Sequence, residues 1–381
     1  MRRLLPFVIT LTLLVSAGCG EEQSASPSQQ GGGGSGWKRL PDFPLAERDG
    51  PIVAWTGSEV LALGGDTGDQ CPPNADCQYP NDSAKDGAAL DPTTGKWQPI
   101  ADAPRPVPSY SPHALVGDLF FVQVDRALLS YDVRTDRWET LPRHLDPWYQ
   151  LVAAGERLVL VSGSDEQEVL PDLAYEPATG RWTRLPDDPL GPSYDRAMVW
   201  TPQGLLLGAK KLVESPGGGA NPSYLEAALL DDQGTWREFG PSDRLGSFSG
   251  ASGDRAIALN LGATNGGGEA PGDYGRDVPF GGRLDLRTGT WSDLPAAPKE
   301  GSGGWAVYAP EGRLMANEGY VYDDDTGAWQ RVPRPEGAAT RPGPAVWAGE
   351  TLVVVTGMAE GDDYTDIRTN EVWSWTPVSA P

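Results

Sequence analysis

Leu90-Asp-Pro-Thr-Thr-Gly-Lys-Trp97 recurs with small changes as Tyr131-Asp-Val-Arg-Thr-Asp-Arg-Trp138, Tyr175-Glu-Pro-Ala-Thr-Gly-Arg-Trp182, Leu230-Asp-Asp-Gln-Gly-Thr-Trp236, Leu284-Asp-Leu-Arg-Thr-Gly-Thr-Trp291 and Tyr322-Asp-Asp-Asp-Thr-Gly-Ala-Trp329. Each copy is an apolar or aromatic residue, an acid, a turn and a tryptophan. A seventh copy is split between the ends: the chain finishes on Asn370-Glu-Val-Trp-Ser-Trp375 and the repeats open on Trp37-Lys-Arg-Leu-Pro41. The stretch from Trp37 to Pro377 is 341 residues, so seven units average about 49 residues each, a period that means one supersecondary unit stacked many times.

Every unit also carries an earlier hairpin, with turn glycines at Gly57, Gly117, Gly155, Gly204, Gly253, Gly312 and Gly349. Runs such as Leu119-Phe-Phe-Val-Gln-Val124 and Thr351-Leu-Val-Val-Val-Thr356 are short and rich in β-branched or aromatic residues, which predicts strands. Four strands per unit, seven times over, predict an all-β, seven-bladed β-propeller, its ring closed by the N-terminal strand pairing with the C-terminal blade. The Thr-Gly step needs a positive φ that glycine supplies without steric cost, and the preceding acid can accept hydrogen bonds from the turn amides.

On these repeats the chain resembles the kelch family from Trp37 to Pro377, although the double glycine that ends the second strand of a kelch blade is clear only at Gly64-Gly65. In such propellers the long loops after the second strand and the blade-to-blade connections share one face. Here those loops are residues 66–86, 215–224, 264–279 and 360–369, and they make that face uneven, as suits a binding surface on a rigid scaffold.

Met1-Arg-Arg, the apolar run from Leu4 to Val15 and Ser16-Ala-Gly-Cys19 form a secretory signal over residues 1–18. Its cleavage site resembles that of bacterial lipoproteins, which implies lipidation of Cys19 and anchoring to the outer face of the cell membrane. Residues 19–36 are a polar Gly/Ser-rich tether, and residues 37–381 are the propeller. In an oxidising compartment Cys71 and Cys77 are expected to form a local disulfide. A metal would need further ligands, and the two histidines, His113 and His144, lie far from that loop.

The net charge is −23, and loss of Arg2 and Arg3 with the signal takes it to −25. That excludes nucleic acid and electrostatic adhesion to anionic lipid, leaving the lipid anchor as the membrane attachment. A monomer is expected. Against this background, a cation follows each tryptophan strand: Arg48, Arg105, Arg143, Arg196, Arg244, Lys299 and Arg341. They either brace neighbouring blades or bind an anionic ligand at the channel mouth. Aromatics beside them, Tyr110, Trp148, Tyr194 and Trp305 among them, suit stacking on a sugar or peptide, or core packing.

No cofactor is expected. The copper-radical chemistry of galactose-oxidase-like propellers needs a histidine, tyrosine and cysteine set that is missing, and the Asp-to-Trp spacing departs from sialidase Asp boxes. No triad or phosphate-loop motif occurs. The acid-rich loops around Asp277 and Asp366 lack the spacing of a dedicated calcium loop. Two functions remain: a non-catalytic binding or scaffolding module for an extracytoplasmic protein, peptide or glycan, or an acidic-sugar epimerase or mutarotase of kelch type. The latter would use an arginine clamp with Glu47, Asp195, Glu300 or Glu318.

Overall fold

In a computed structural model, the chain is described over residues 36–377 apart from 70–81, 146–148, 213–223, 260–262, 268–273, 280, 296–303, 311, 318 and 362–365. The disulfide pair, Cys19, Trp148 and Lys299 lie outside the described residues. The described part is all strand and turn, and it forms a seven-bladed β-propeller.

Blades 1 to 4 are antiparallel four-stranded meanders, their strands labelled a to d in chain order. Blade 5 has the same four strands plus an inserted hairpin, Ala263–Gly267 against Tyr274–Pro279. Blade 6 pairs Leu314–Asn317, Tyr320–Asp323 and Ala328–Arg331, while its inner position is reduced to one bridge, Ala309 to Ala316. In blade 7 the outer strand is Trp37–Leu40, which pairs with Asp366–Trp375 in the register Trp37 to Trp375 and Leu40 to Val372. The ring is closed by the N-terminal strand, as the split repeat predicts.

Two stretches expected as loops contain strand. The 264–279 insertion is the blade 5 hairpin, and in blade 7 strands b and c run on past a bulge so that Glu360 pairs with Asp366. Alternating Thr, Ile and Arg side chains at Ile367, Arg368 and Thr369 allow the ladder to continue where a purely Gly/Asp reading suggests coil.

The hydrophobic core is divided. Among the described residues, seven apolar clusters form, one at each blade-to-blade interface, such as Leu63 and Val107 with Phe120 and Leu129 between blades 1 and 2. Each inner sheet is apolar on both faces, so strands b read as near-continuous runs, Leu205 to Leu207 or Leu352 to Val355 being examples with about 1% exposure or less.

The recurrent phrase builds the fastening between these sheets. Its acid accepts the turn amides: Asp91 takes the N–H of Thr93 at 2.8 Å, Asp132 that of Arg134 at 2.9 Å and Asp285 that of Arg287 at 2.9 Å. Its turn residue sits at φ 69° in Gly95 and 68° in Gly180, and Asp136 takes φ 54° where the phrase has lost its glycine. The tryptophan then reaches back to the preceding blade. The indole Nε1–H donates to a backbone carbonyl just past strand d of the preceding blade: Trp97 to Pro41, Trp138 to Ala101, Trp236 to Pro186, Trp291 to Gly240, Trp329 to Pro295 and Trp37 to Pro333, at 2.6–3.2 Å. At blade 2 the turn itself joins in, because Asp136 Oδ1 accepts both Ala101 N–H at 2.7 Å and the Tyr131 hydroxyl at 2.8 Å.

Replacing Trp138 by Phe keeps an aromatic ring but removes the donor to Ala101, so the urea midpoint should fall by the equivalent of about 1 kcal/mol with an unchanged slope. No change in midpoint would show that the indole hydrogen bond contributes nothing. The Thr93 and Thr94 hydroxyls hold the Asp91 carboxyl down to about 2, the Thr288 amide lowers Asp285, and Arg181 lowers Glu176. These folded values lie below the unfolded ones near about 4. Their stabilisation is therefore present above pH ~4 and lost as pH falls towards ~2. Thermal midpoints measured across that window should decline less steeply in Asp91→Asn than in the parent.

Candidate functional site

Among the described residues, the connecting cations take separate partners. Arg48 is buried, with Nη1 on the Asp86 carboxylate at 2.8 Å and on the Gly64 carbonyl at 3.1 Å, and its guanidinium lies 5.0 Å from the Phe43 ring centre. Arg196 is buried among three carboxylates, at 2.8 Å from Asp172, 2.9 Å from Asp188 and 3.7 Å from Asp165, and also donates to the Ser162 carbonyl. Arg244, buried as well, pairs with Asp293 at 2.7 Å and Asp243 at 3.0 Å. It lies against Gly282, where a Cβ would come within 2.8 Å of its Nε. Arg143 covers the Trp182 ring of the next blade at 4.9 Å, and Arg105 is exposed. Three of the cations are thus buried and already paired with carboxylates of the scaffold.

Of the predicted aromatics, Trp305 is a core residue at 1% exposure, donating Nε1–H to the Ala339 carbonyl at 3.0 Å and packing edge-on against Trp37 at 5.1 Å. It is closed to a ligand. Tyr194 is half-buried beside Lys210, whose Nζ binds Asp195 at 2.9 Å. Glu47, offered as an acid or base, is exposed, and Glu300 and Glu318 lie outside the described residues.

Tyr110 and Arg341 do come together. Both lie near Asp49: burial raises the Asp49 carboxyl against the pull of Arg368 and Arg341, and burial raises the Tyr110 hydroxyl with the Asp49 charge adding to it. Arg341 pairs with Asp366, and Arg368 with Asp66 at 3.3 Å and the Gly68 carbonyl at 2.6 Å. Tyr110 is 82% exposed and holds φ at 60°, a left-handed conformation that costs an aromatic residue of order 1–3 kcal/mol. The double glycine lies beneath this patch: a Cβ on Gly64 would come within 2.5 Å of the Val107 carbonyl, and one on Gly65 within 2.8 Å of that of Asp49. Two connections pass over the end of that strand, and only glycines leave them room.

A concave feature on the axis was not marked by any motif. The inner strands surround a channel of about 580 Å³. Among the described residues no Asp, Glu, Lys or Arg lines it. Aromatics do: Trp55, Trp200 and Trp347 stand at the last turns of their strands a, beside the hairpin glycines, and Tyr308 stands by Gly312. Tyr308 is 61% exposed and Trp200 40%, values far above those of core aromatics. Trp200 leans across the blade 3 turn, 3.8 Å from where Gly155 would carry a Cβ. Polar side chains share the wall, among them Ser249, whose Oγ accepts the Leu259 N–H at 2.9 Å. Gln150 accepts the Met198 N–H at 2.9 Å through Oε1, and His113 sits with Nδ1 3.0 Å from the Ser111 carbonyl. Trp55 also lines a second cavity of about 660 Å³, a groove between blades 1 and 7 walled by Glu59, Asp91, Thr93, Thr351 and Ser374. Trp55 is thus common to the two linings.

No family model matches this chain, and no curated protein matches it. Among solved structures, 611 chains match. One is YjhT, which aligns with a TM-score of 0.42 and 12% identity over 88% of this chain and 96% of that one. No site residue carries over at that distance.

The burial of Arg196 among three acids gives a direct test of its role. Arg196→Met strands three carboxylates inside the protein and should cost about 3–5 kcal/mol in urea unfolding. Arg105→Ala, on the exposed surface, should stay within about 0.5 kcal/mol of the parent.

Proposed function

We propose that this chain is a lipid-anchored, kelch-like propeller outside the cell membrane, acting as a non-catalytic binding module whose ligand sits at the axial channel. The observation that carries this reading is the channel wall itself, where Trp200 and Tyr308 expose large aromatic faces in a cavity contributed by the rigid inner strands. A water-filled site that keeps such faces uncovered forgoes roughly 25 cal/mol for each Å² of apolar surface, which a ligand recovers on binding. Its size lies within the range of about 300–1,000 Å³ typical of ligand pockets.

The signal over residues 1–18, the lipidation cysteine Cys19 and the tether to residue 36 support presentation of the propeller away from the membrane surface. The partner class is a protein, peptide or glycan of that compartment. An acidic-sugar enzyme needs guanidinium groups free to clamp a carboxylate, whereas Arg48, Arg196 and Arg244 already hold carboxylates of the scaffold. Binding without turnover is therefore the better supported of the two functions.

The double variant Trp200→Ala, Tyr308→Ala should lose capture of components from a cell-envelope digest, read by loss of tryptophan fluorescence change on titration, while its thermal midpoint stays within a few degrees of the parent. Equal response in parent and variant would remove the channel from the binding function.

A further inference from the structure

We infer that the ligand of this channel is an uncharged, linear oligosaccharide whose terminal units enter the axis and whose following units lie in the groove between blades 1 and 7, turning over Trp55. This deepens the binding reading above and rests on it. Four observations carry the inference.

The first is charge. The chain carries a net −23, yet the described channel wall has no Asp, Glu, Lys or Arg. An anionic ligand would approach against a negative field with no cation to receive it, and a cation would find no carboxylate on the axis. In the groove, the Asp91 carboxylate is already occupied by the Thr93 and Thr94 hydroxyls at 2.6 and 2.8 Å. Glu59 also lines the groove, and its carboxylate adds to the negative field that an anion would meet, whereas a neutral ligand is not repelled.

The second is surface chemistry. Sugar rings present C–H faces that stack on aromatic faces, while their hydroxyls project round the rim. Trp55, Trp200 and Tyr308 supply such faces. Gln150 has its Oε1 tied to the Met198 amide, so its two N–H donors are the part of the carboxamide left to meet a ligand hydroxyl. The described wall mixes apolar side chains with Gln150, His113 and Ser249, a mixture that suits the alternating C–H faces and hydroxyls of a sugar.

The third is extent. Channel and groove have volumes of about 580 and 660 Å³. Each alone is pocket-sized, and together they exceed the range of about 300–1,000 Å³ for one compact ligand. A chain molecule is the occupant that uses both.

The fourth is continuity. Trp55 belongs to the lining of both cavities, so the step from axis to groove is made on its ring. Thr351 and Ser374 continue the groove wall with hydroxyls along blade 7.

The test is calorimetric titration of the full-length chain in detergent micelles with neutral hexasaccharides (cello-, malto-, xylo- and chitohexaose), the matching disaccharides, hexagalacturonate and an uncharged Gly-Ser dodecapeptide. The inference expects at least one neutral hexasaccharide to bind. Trp200→Ala with Tyr308→Ala should then weaken both hexamer and dimer at least tenfold. Trp55→Ala should weaken the hexamer about tenfold while leaving the dimer within twofold, a length-dependent split that a general loss of folding does not produce.

Binding of hexagalacturonate or the peptide in place of the neutral glycans, lost in the Trp200 and Tyr308 variant, overturns the ligand class and leaves the channel reading standing. Equal loss of dimer and hexamer in Trp55→Ala overturns the groove path. If no probe of any class binds, the inference falls. If envelope capture is also unaffected by the Trp200 and Tyr308 changes, the channel reading falls with it.

Discussion

The structure depends on an indole N–H that leaves one blade and ends on the backbone of the one before it. A four-stranded sheet that is apolar on both faces has no stable existence in water by itself, and each of these sheets is covered only by its neighbours. The tryptophans of the recurrent phrase set the distance and angle at which that covering happens. The Asp turn orients the strand, the turn residue allows the reversal, and the ring packs while its nitrogen reaches the adjacent connection, as at Trp138 and Ala101. Trp37 makes the same bond to Pro333, so the two ends of the chain obey the rule that holds the interior blades.

A second set of fastenings lies among the blade-to-blade connections and uses ions instead of rings. Arg48 ties the start of blade 1 to Gly64 and Asp86, and Arg244 ties blade 5 to Asp293. Arg196 reaches back from blade 4 to Asp172 at the edge of blade 3. The three are not copies of one contact, since each takes whichever acid the local connection offers. Their common property is burial, and a buried guanidinium is held in place by the cost of leaving either partner alone. A ring of arginines can thus recur once per blade without forming a site. The described wall of the axial channel, by contrast, is lined by neutral side chains.

The architecture was readable because its determinants are local and repeated. The seven hairpin glycines hold φ from 56° to 138°, as a tight reversal requires, and the split repeat foretold the pairing of Trp37–Leu40 with the last long strand. Strand content within the 264–279 and 360–369 segments was hidden, because Gly, Asp and Asn there resemble coil and the pairing comes from the partner strand. The candidate site was hidden more deeply. Trp55, Trp200, Tyr308 and Gln150 occur at different offsets in different blades, so no motif links them. One signal was available: Trp55, Trp200 and Trp347 each stand two to four residues before a hairpin glycine, outside the Asp-turn phrase that accounts for most of the other tryptophans.

The amino-acid sequence by itself determined the number of blades, the turn conformations and the way the ring closes, because these follow from periodicity and from the φ values that Gly and Asp tolerate. Only the tertiary structure decided which cations are consumed and which aromatics face water. An arginine or tryptophan has the same identity whether it meets a carboxylate, a neighbouring sheet or an open channel. What it meets depends on groups tens of residues away that come together when seven sheets are brought round one axis.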